Sequence, residues 1–342
     1  MSTRDTILTR FITDSGWAGA TRTIVAGDAS NRRYLRLSQG NETAILMDAP
    51  PDRGEDVGPF IAVAEQLRAL GLSAPRIIER DVEAGLLLIE DLGDDLFARV
   101  LKQHPEIENS LYSTAIDVLL VLHRHPPPDF LKPYSVAIMA DLAALAAEWY
   151  AAGVQDTDDT LRETLRDTLR GAMTRALSGL PDLNTVLIQR DYHAENLLWL
   201  PDRNGTARVG LLDFQDAMTG HPAYDLASLL QDARRDVPPA TEAAMIDRYL
   251  TRAPTDPGTF RTAYAVLGAQ RNLRILGVFA RLCLRDGKAH YVNLIPRVWN
   301  LLLRDLAHPA LTELRDIALT GLPEPDPATL QKLTAQCATH RQ

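Results

Sequence analysis

Three polar residues in segment 186–214 have the types and the spacing that phosphoryl-transfer chemistry needs. Asp191 is followed five residues later by Asn196, and Asp213 ends the next apolar run. Two oxygen ligands side by side suit Mg²⁺, which proteins usually hold with one or two carboxylates together with substrate phosphates. A further carboxylate nearby can accept the proton of an attacking hydroxyl. Asp191 is therefore the candidate base, and Asn196 and Asp213 are the candidate metal ligands.

A predicted hairpin explains how the two metal-ligand candidates meet. Asn204-Gly205 is a strong two-residue turn signal between the apolar runs 196–200 and 209–213. Pairing these runs brings the start of the first strand beside the end of the second, so Asn196 and Asp213 become neighbours. For any one of these residues alone, a turn-favouring residue in a surface hairpin is the simpler interpretation. The joint pattern Asp-x4-Asn followed by Asp-Phe is more specific and favours catalysis.

Composition restricts the class of protein. A chain of 342 residues, 46% of them hydrophobic, is long enough for two ordinary globular lobes. The net charge of −9 argues against a nucleic acid or an anionic membrane as partner. Two cysteines, Cys283 and Cys337, lack metal-ligand spacing, and so few cysteines suit a reducing compartment. With no apolar run of ~20 residues and no signal-peptide pattern, we expect a cytoplasmic location.

The first third of the chain has the pattern of a small antiparallel sheet with one main helix. Apolar periodicity predicts a short helix at 3–13 and a longer one at about 56–70. The predicted strands are 21–25, 33–37, 43–48, 76–80 and 86–90. A polar connector follows at 90–95.

The remainder of the chain is predicted to be mostly helical around the hairpin. The predicted helices are 107–124, 135–152, 158–178, 223–235, 240–251, 258–285 and 289–305. The expected fold class is α+β. The expected domains are an antiparallel β lobe with one main helix at 1–92, a helical lobe that contains the hairpin at 93–322, and a partly loose tail at 323–342.

This organisation resembles the protein-kinase-like bilobal fold, and in particular the aminoglycoside phosphotransferase and choline kinase family, which phosphorylates small molecules. The resemblance covers roughly residues 24–283. It rests on three motifs: Arg190-Asp191-Tyr192-His193 through Asn196, Leu212-Asp213-Phe214, and Gly220-His221-Pro222-x-Tyr224-Asp225-Leu226-Ala227. It implies a small antiparallel β lobe at 1–92 that binds the nucleotide and a larger, mostly helical lobe at 93–322 that holds the catalytic hairpin and the acceptor site. It also implies ATP and Mg²⁺ as cofactors.

Further segments resemble one branch of that family, the bacterial kinases of cell-wall recycling that phosphorylate the anomeric hydroxyl of N-acetylmuramate or N-acetylglucosamine. These segments are 27–36, 47–51 and 270–277. The branch implies a small-molecule sugar as the partner and leaves the oligomeric state open, with a monomer compatible. Two alternatives remain: a kinase for another small alcohol, such as an aminoglycoside, choline or homoserine, and a nucleotide-binding regulatory pseudokinase.

The resemblance assigns roles to the residues of the matching motifs. Asp191 is the catalytic base, and Asn196 and Asp213 hold Mg²⁺ against the ATP phosphates. His193 either orients the loop or touches the transferred phosphate, and an ordinary loop histidine is the alternative. Asp225 braces the catalytic loop as a structural carboxylate, and a simple helix N-cap is the alternative.

The nucleotide side departs from the family pattern. Kinases of this fold carry a Lys on the third strand, but residues 43–48 contain neither Lys nor Arg. A cation from the neighbouring strand can substitute, where Arg32, Tyr34 and Arg36 share one face and Arg33 points to the other. The sequence does not decide which face meets the nucleotide. The candidate nucleotide-binding residues are Gly27, Ser30, Asn31, Arg33, Arg36 and Glu90.

A basic stripe marks the acceptor side. Arg271, Arg274, Arg281 and Arg285 recur at helical spacing. Such a stripe is usually a solvated helix face, which is our expectation for the last two. The first two are candidate substrate-binding residues, because a guanidinium fork suits the lactyl carboxylate of N-acetylmuramate. Tyr224 is a candidate for stacking on the sugar ring, with a core position as the alternative.

Overall fold

A computed structural model describes residues 3–25, 31–155, 158–181 and 183–339. The strands in these ranges are β1 (Thr21–Val25), β2 (Arg33–Gln39), β3 (Glu42–Asp48), β4 (Ile77–Asp81), β5 (Leu86–Glu90), β6 (Val186–Ile188), β7 (Leu197–Trp199), β8 (Val209–Leu211) and β9 (Met218–Gly220).

The α-helices in the same ranges are α1 (Thr3–Asp14), α2 (Gly58–Ala69), α3 (Phe97–Gln103), α4 (Glu108–Leu122), α5 (Val136–Leu145), α6 (Asp159–Ser178), α7 (Ala223–Leu230), α8 (Pro239–Arg252), α9 (Pro257–Leu284), α10 (Ile295–Leu306), α11 (Thr312–Gly321) and α12 (Pro327–Ala335). None of these helices combines the length and the hydropathy that a membrane span requires.

The chain divides into two compact units. The first contains Met1–Leu122 and Ala194–Ala217, and the second contains His123–His193 and Met218–Gln342. The first unit is built on a five-stranded antiparallel sheet in the order β1-β2-β3-β5-β4, which confirms the predicted sheet. Helix α1 packs Leu8 and Ile12 on one face of this sheet, against Leu37, Leu46 and Leu88.

The hairpin of β7 and β8 also belongs to the first unit. Backbone bridges join Ser73 to Gly210 and Leu96 to Leu198, and the Ala98 N–H donates to the Ala194 carbonyl at 3.0 Å. These pairings group residues 93–122 and the hairpin with the sheet, so the compact units do not follow the predicted boundary after residue 92.

The connection within the hairpin differs from the prediction. The last β7–β8 pair is Trp199 with Val209, and Gly205–Arg208 forms a 3₁₀ turn between the strands. Asn204 is extended, with φ of −116°, whereas the predicted two-residue turn needs positive φ at both central residues. The predicted tight turn is therefore wrong, although the strands pair in a register that still brings their outer ends together.

Helix α9 is the longest helix of the second unit, and it packs against α5, α7 and α10. Helix α5 continues as a π-helical segment at Ala146–Ala151. Strand β6 pairs antiparallel with β9, joining Val186 to Gly220 and Ile188 to Met218. This pair, α3 and α11 were not predicted, because each is too short for a clear hydrophobic period. Helix α7 ends at Leu230, five residues before the predicted end.

The tail packs against the second unit through residue 339. Leu333 of α12 is fully buried. The Tyr150 hydroxyl donates to the Pro323 carbonyl at 2.8 Å, and the Gln336 side-chain amide donates to the Gly153 carbonyl at 2.8 Å. The expectation of a partly loose tail is therefore wrong for these residues.

Helix α9 passes so close to α5 that a Cβ at Gly277 would lie 2.3 Å from the carbonyl carbon of Leu145. We expect Gly277→Ala to lower the free energy of unfolding by ~1–3 kcal/mol, because the α5 backbone must shift. Urea unfolding followed by circular dichroism measures the change.

Gly258→Ala is the matched control in the first turn of the same helix. There the nearest atom to an added Cβ is the Asp256 Oδ1, at 3.4 Å, so we expect a change below ~0.5 kcal/mol. A Gly277→Ala variant as stable as the control would contradict the close approach of the two helices.

Candidate active site

A cleft of about 230 Å³ lies within the first unit. We call it the sheet cleft. Its walls come from β1, β2, β3, β5, α2, the connector after β5, and the hairpin. The lining residues are Val25, Tyr34, Arg36, Ile45, Phe60, Pro75, Ile89, Glu90, Asp91, Leu92, Gly93, Asn196, Leu198, Leu212, Asp213 and Gln215. Apolar side chains cover much of the wall, and carboxylates and amides gather at the hairpin and the connector.

Alternation along β2 decides which arginine faces the sheet cleft. Tyr34 and Arg36 line it. Arg33 points to the opposite face, where its Nε donates to the Asp48 carboxylate at 2.9 Å. Arg4 of α1 donates to the same carboxylate at 2.9 Å, and Asp48 is fully buried. The prediction that Arg33 binds nucleotide is wrong, because its guanidinium neutralises this buried carboxylate instead.

Arg36 lines the cleft as an ion pair with the connector. Its Nε donates to Asp91 at 2.6 Å and its Nη1 donates to Asp94 at 2.8 Å. The hydrogen bond from Arg36 lowers the pKa of Asp94. Two carboxylates therefore balance this guanidinium, and Arg36 fastens β2 to the connector.

Glu90 ties the end of β5 to the hairpin loop. Its carboxylate accepts from Arg203 Nη2 at 2.7 Å and from the Arg76 backbone N–H at 3.0 Å. Arg203 Nη1 also donates to the Ser73 hydroxyl at 2.8 Å. The prediction that Glu90 lies at the nucleotide side is compatible with its place in the wall of the sheet cleft.

The predicted phosphate loop is only partly described. Gly27 and Ser30 lie outside the described residues. The Asn31 backbone N–H donates to the Glu55 carboxylate at 3.2 Å, and Asn31 is not among the residues that line the sheet cleft.

Asn196 and Asp213 lie side by side at the outer end of the hairpin, as strand pairing predicted. The Asn196 Nδ2 is 3.4 Å from Asp213 Oδ2, and the Leu212 N–H donates to the Asn196 carbonyl at 3.0 Å. Gln215 Nε2 donates to Asp213 Oδ1 at 2.7 Å. Asp213 has a φ of 55°, a left-handed conformation that costs a non-glycine residue about 1–3 kcal/mol unless its surroundings hold it.

Packing next to Asp213 supplies part of that support. The ring of Phe214 is fully buried and stacks on Phe60 of α2, with the ring centroids 4.9 Å apart. The stacked ring of Phe214 anchors the backbone next to Asp213, and the Gln215 amide holds the Asp213 carboxylate.

The donor chemistry of this pair fits Mg²⁺. An amide oxygen and a carboxylate are hard oxygen ligands, and Mg²⁺ completes its shell with waters and substrate phosphates. Among the described residues, no three or more His, Cys, Asp or Glu side chains are grouped to hold a metal ion. The pair therefore suits a metal that is held jointly with phosphates.

In the second unit, Asp225 holds the backbone that precedes Asp191. It accepts the N–H groups of Gln189 at 2.7 Å and of Arg190 at 2.9 Å. Burial raises the pKa of Asp225 to about 7, although the two hydrogen bonds from backbone N–H groups act in the opposite direction. The N-cap residue of α7 is Pro222, so the alternative that Asp225 caps this helix is wrong.

Arg190 is the strained residue of this loop, with a φ of 72°. Its carbonyl accepts from the Ser228 hydroxyl at 3.2 Å, and its guanidinium lies over the Tyr134 ring, 5.1 Å from the centroid. A loop held at both N–H and C=O fixes the direction in which the next residue, Asp191, projects.

Asp191 is paired with a cation of α9. Its Oδ1 is 4.0 Å from Arg274 Nη2, and about a third of the Asp191 side chain is exposed. Burial raises the pKa of Asp191, but the nearby positive charges, Arg274 first among them, lower it below its usual value. Asp191 is therefore ionised at neutral pH.

Tyr224 positions that cation. Its hydroxyl accepts from Arg274 Nη1 at 3.2 Å, and its ring is buried in an edge-to-face contact with Tyr134, with 5.3 Å between centroids. The prediction that Tyr224 stacks on a sugar ring is wrong, because its side chain is buried and its ring is not accessible to a sugar.

Arg271 and His193 lie deeper than Arg274. Arg271 is only 2% exposed and donates to the Gln231 carbonyl at 3.0 Å. His193 is 5% exposed, with its Nε2 3.5 Å from Arg234. Burial lowers the pKa of His193 to about 4, so its imidazole is neutral at physiological pH.

Three contacts of these candidate site residues were not predicted from the sequence. Gln215 supports Asp213, Arg234 lies beside His193, and the connector carboxylates bind Arg36. The Gln215 contact has a local signal, since the residue follows Asp213 by two positions. The other two join elements far apart in sequence, which no local pattern reveals.

Comparisons with known proteins identify a family and relatives that match most of the chain. The model of the phosphotransferase enzyme family matches residues 21–262. The chain is 41% identical to an N-acetylmuramate/N-acetylglucosamine kinase of Caulobacter vibrioides, over 92% of this chain and 95% of that protein. It is 35% identical to the kinase of the same name from Pseudomonas aeruginosa, over 87% and 88% of the two chains.

Solved structures share the fold at low identity. The choline kinase LicA from Streptococcus pneumoniae has a TM-score of 0.60 at 14% identity, over 89% of this chain and 100% of that chain. The ADP-bound aminoglycoside phosphotransferase APH(2'')-Ib has a TM-score of 0.61 at 13% identity, over 92% and 99%. The predicted protein-kinase-like α+β fold is confirmed, and the chain belongs to the phosphotransferase enzyme family, whose kinases use ATP.

Proposed function

We propose that this chain is an ATP- and Mg²⁺-dependent kinase that phosphorylates the anomeric hydroxyl of N-acetylmuramate or N-acetylglucosamine. The observation that carries the proposal is the 41% identity to the Caulobacter kinase over nearly the full length of both chains. The arrangement of Asp191, Asn196 and Asp213 supports the same reaction class.

Asp191 acts as the base. Its carboxylate is ionised and partly exposed, so it can accept a hydrogen bond from the acceptor hydroxyl and take its proton as the new P–O bond forms. Phosphoryl transfer has a loose transition state, and most of the catalysis comes from positioning and charge neutralisation. The fixed direction of Asp191 is therefore its main contribution.

Asn196 and Asp213 would hold Mg²⁺ against the ATP phosphates, where the metal neutralises charge on the transferred group. The sheet cleft, with its apolar wall and the connector at one edge, is the site for the nucleotide base. Asn196 and Asp213 lie in the same cleft wall, so base and phosphates can be held within one compact unit.

Arg274 is the better of the two predicted substrate arginines. It is partly exposed and 4.0 Å from Asp191, whereas Arg271 is buried and donates to a backbone carbonyl. A lactyl carboxylate near Asp191 would meet the Arg274 fork. Arg271 then contributes indirectly, by donating a hydrogen bond to the Gln231 carbonyl.

A nucleotide-binding pseudokinase is the second candidate, favoured by one observation. Strand β3 carries no cation, and Met47 is fully buried in it. A different acceptor, such as an aminoglycoside, choline or homoserine, would leave the chemistry of Asp191 unchanged.

We expect Asp191→Asn to lower kcat for N-acetylglucosamine by at least ~100-fold, because the variant cannot take the proton of the hydroxyl. The affinity for ATP should stay within about twofold, since Asp191 lies outside the residues that line the sheet cleft. A coupled ADP assay and calorimetry measure the two quantities. ATP binding with no turnover in the wild-type protein, across a panel of acceptors, would favour the pseudokinase.

We expect Arg274→Gln to raise KM for N-acetylmuramate at least ~10-fold more than KM for N-acetylglucosamine, because only the former has a carboxylate for the guanidinium to bind. The control is Arg285→Gln, just past the end of α9, where the arginine pairs with Asp286. Equal increases in KM for the two sugars would contradict a contact between Arg274 and the lactyl carboxylate. They would leave Arg274 only its contact with Asp191.

We expect His193→Gln to keep the wild-type shape of the pH profile of kcat/KM between pH 6 and 8. Burial lowers the pKa of His193 to about 4, so the imidazole stays neutral throughout this window. Initial rates with N-acetylglucosamine, which has no titrating group here, give the profile. An inflection near pH 6.5 that disappears in the variant would contradict the buried, neutral histidine.

A further inference from the structure

The sheet cleft needs a cation for the triphosphate, and its strands do not supply one at the usual position. Kinases of this fold present a Lys from the third strand. On β3, Ile45 lines the cleft, and alternation puts Met47 on the same face, where it is fully buried. Arg36, the arginine that lines the cleft, is balanced by two carboxylates of the connector.

Arg32 directly precedes β2 and is not itself among the residues that line the sheet cleft, but alternation gives its side chain the direction of two residues that are. It precedes Tyr34 by two positions and Arg36 by four, which gives these three side chains one direction along an extended segment. The Arg32 side chain interacts with that of Tyr34. Its side chain is 15% exposed, so it is neither buried in the core nor extended into solvent.

The position of Arg32, directly before β2, suits contact with a phosphate and not with a purine. Arg36 marks the end of the cleft at the connector, and an extended chain rises about 3.3 Å per residue, which puts Arg32 roughly 13 Å further along. Val25, at the end of β1, lines the cleft and pairs with Tyr34, so the cleft extends toward this end of the sheet. An ATP molecule with its base at the connector would reach Arg32 if its phosphates extended in that direction.

Glu55 holds Arg32 in place. The Arg32 Nε donates to Glu55 Oε2 at 2.7 Å, and only 12% of the Glu55 side chain is exposed. Glu55 lies three residues before α2 and also accepts the Asn31 backbone N–H at 3.2 Å. The kinase Lys is itself oriented by a Glu of the small lobe, so a cation held by a carboxylate is a workable phosphate ligand.

We propose that Arg32, oriented by Glu55, is the phosphate-binding cation that takes the place of the missing strand Lys. The proposal rests on the proposed function, because it needs ATP in the sheet cleft. A guanidinium with five N–H donors can bind phosphate oxygens through its terminal nitrogens while its Nε stays on Glu55. The competing explanation is an ion pair that only ties β2 to the segment before α2.

Nucleotide affinities separate the two explanations, because adenosine lacks the phosphates. Calorimetry of full-length wild-type and Arg32→Gln proteins with Mg-ATP and with adenosine provides the comparison. We expect the Kd of ATP to rise about 10–100-fold, as for the loss of one charged hydrogen bond. We expect the Kd of adenosine to stay within about twofold, and Arg32→Lys to recover part of the ATP affinity.

Arg22→Gln is the matched control. Arg22 is an exposed arginine of β1 in the same sheet, and we expect both affinities to stay within about twofold. Glu55→Gln tests the orientation: it should weaken ATP binding less than Arg32→Gln does and leave adenosine binding unchanged.

Equal weakening of ATP and adenosine by Arg32→Gln would show a merely structural ion pair and overturn the proposal. Unchanged ATP affinity would overturn it as well. In both cases a wild-type protein that turns over ATP and sugar would leave the proposed function standing. Failure of the wild-type protein to bind either ligand would instead overturn the proposed function itself.

Discussion

The two hydrogen bonds from the Gln189 and Arg190 N–H groups to the Asp225 carboxylate hold the loop that precedes Asp191, the proposed base. They hold Arg190 in a left-handed conformation that a free arginine avoids. Because Arg190 directly precedes Asp191, the contacts that hold Arg190 in this conformation also fix the direction in which Asp191 projects. Burial of Asp225 disfavours its charge, and the two donors offset that penalty in part.

Three residues of the eight-residue helix α7 make the contacts that hold Asp191 and Arg274 in place. Tyr224 holds Arg274, Asp225 holds the loop before the base, and Ser228 donates to the Arg190 carbonyl. The motif Tyr224-Asp225 therefore acts through other residues and does not meet the acceptor through the tyrosine ring. A single short helix aligns both the base and the arginine that lowers its pKa.

The first unit also holds a non-glycine residue in a left-handed conformation, with different contacts. Asp213 is also left-handed, and Gln215 and the Phe214–Phe60 stack support it. The arginines in and directly before β2 have different partners: Arg33 neutralises a buried carboxylate, Arg36 binds the connector, and Arg32 pairs with Glu55. Three arginines close in sequence thus have three different electrostatic environments.

Much of this was predictable from local patterns. The strands of the sheet, the long helices and the adjacency of Asn196 and Asp213 follow from hydrophobic period and antiparallel pairing. What failed depends on tertiary contacts. Nothing local distinguishes the two faces of β2, so Arg33 was misplaced. Tyr224 and Arg271 have the types of binding residues, but the helices packed around them bury both.

The most direct test is ³¹P nuclear magnetic resonance of the purified protein with Mg-ATP and N-acetylmuramate. The account predicts consumption of ATP and a new phosphate-ester resonance coupled to the anomeric proton, identifying both the reaction and the attacked hydroxyl. ATP left intact with this sugar and with N-acetylglucosamine would contradict it.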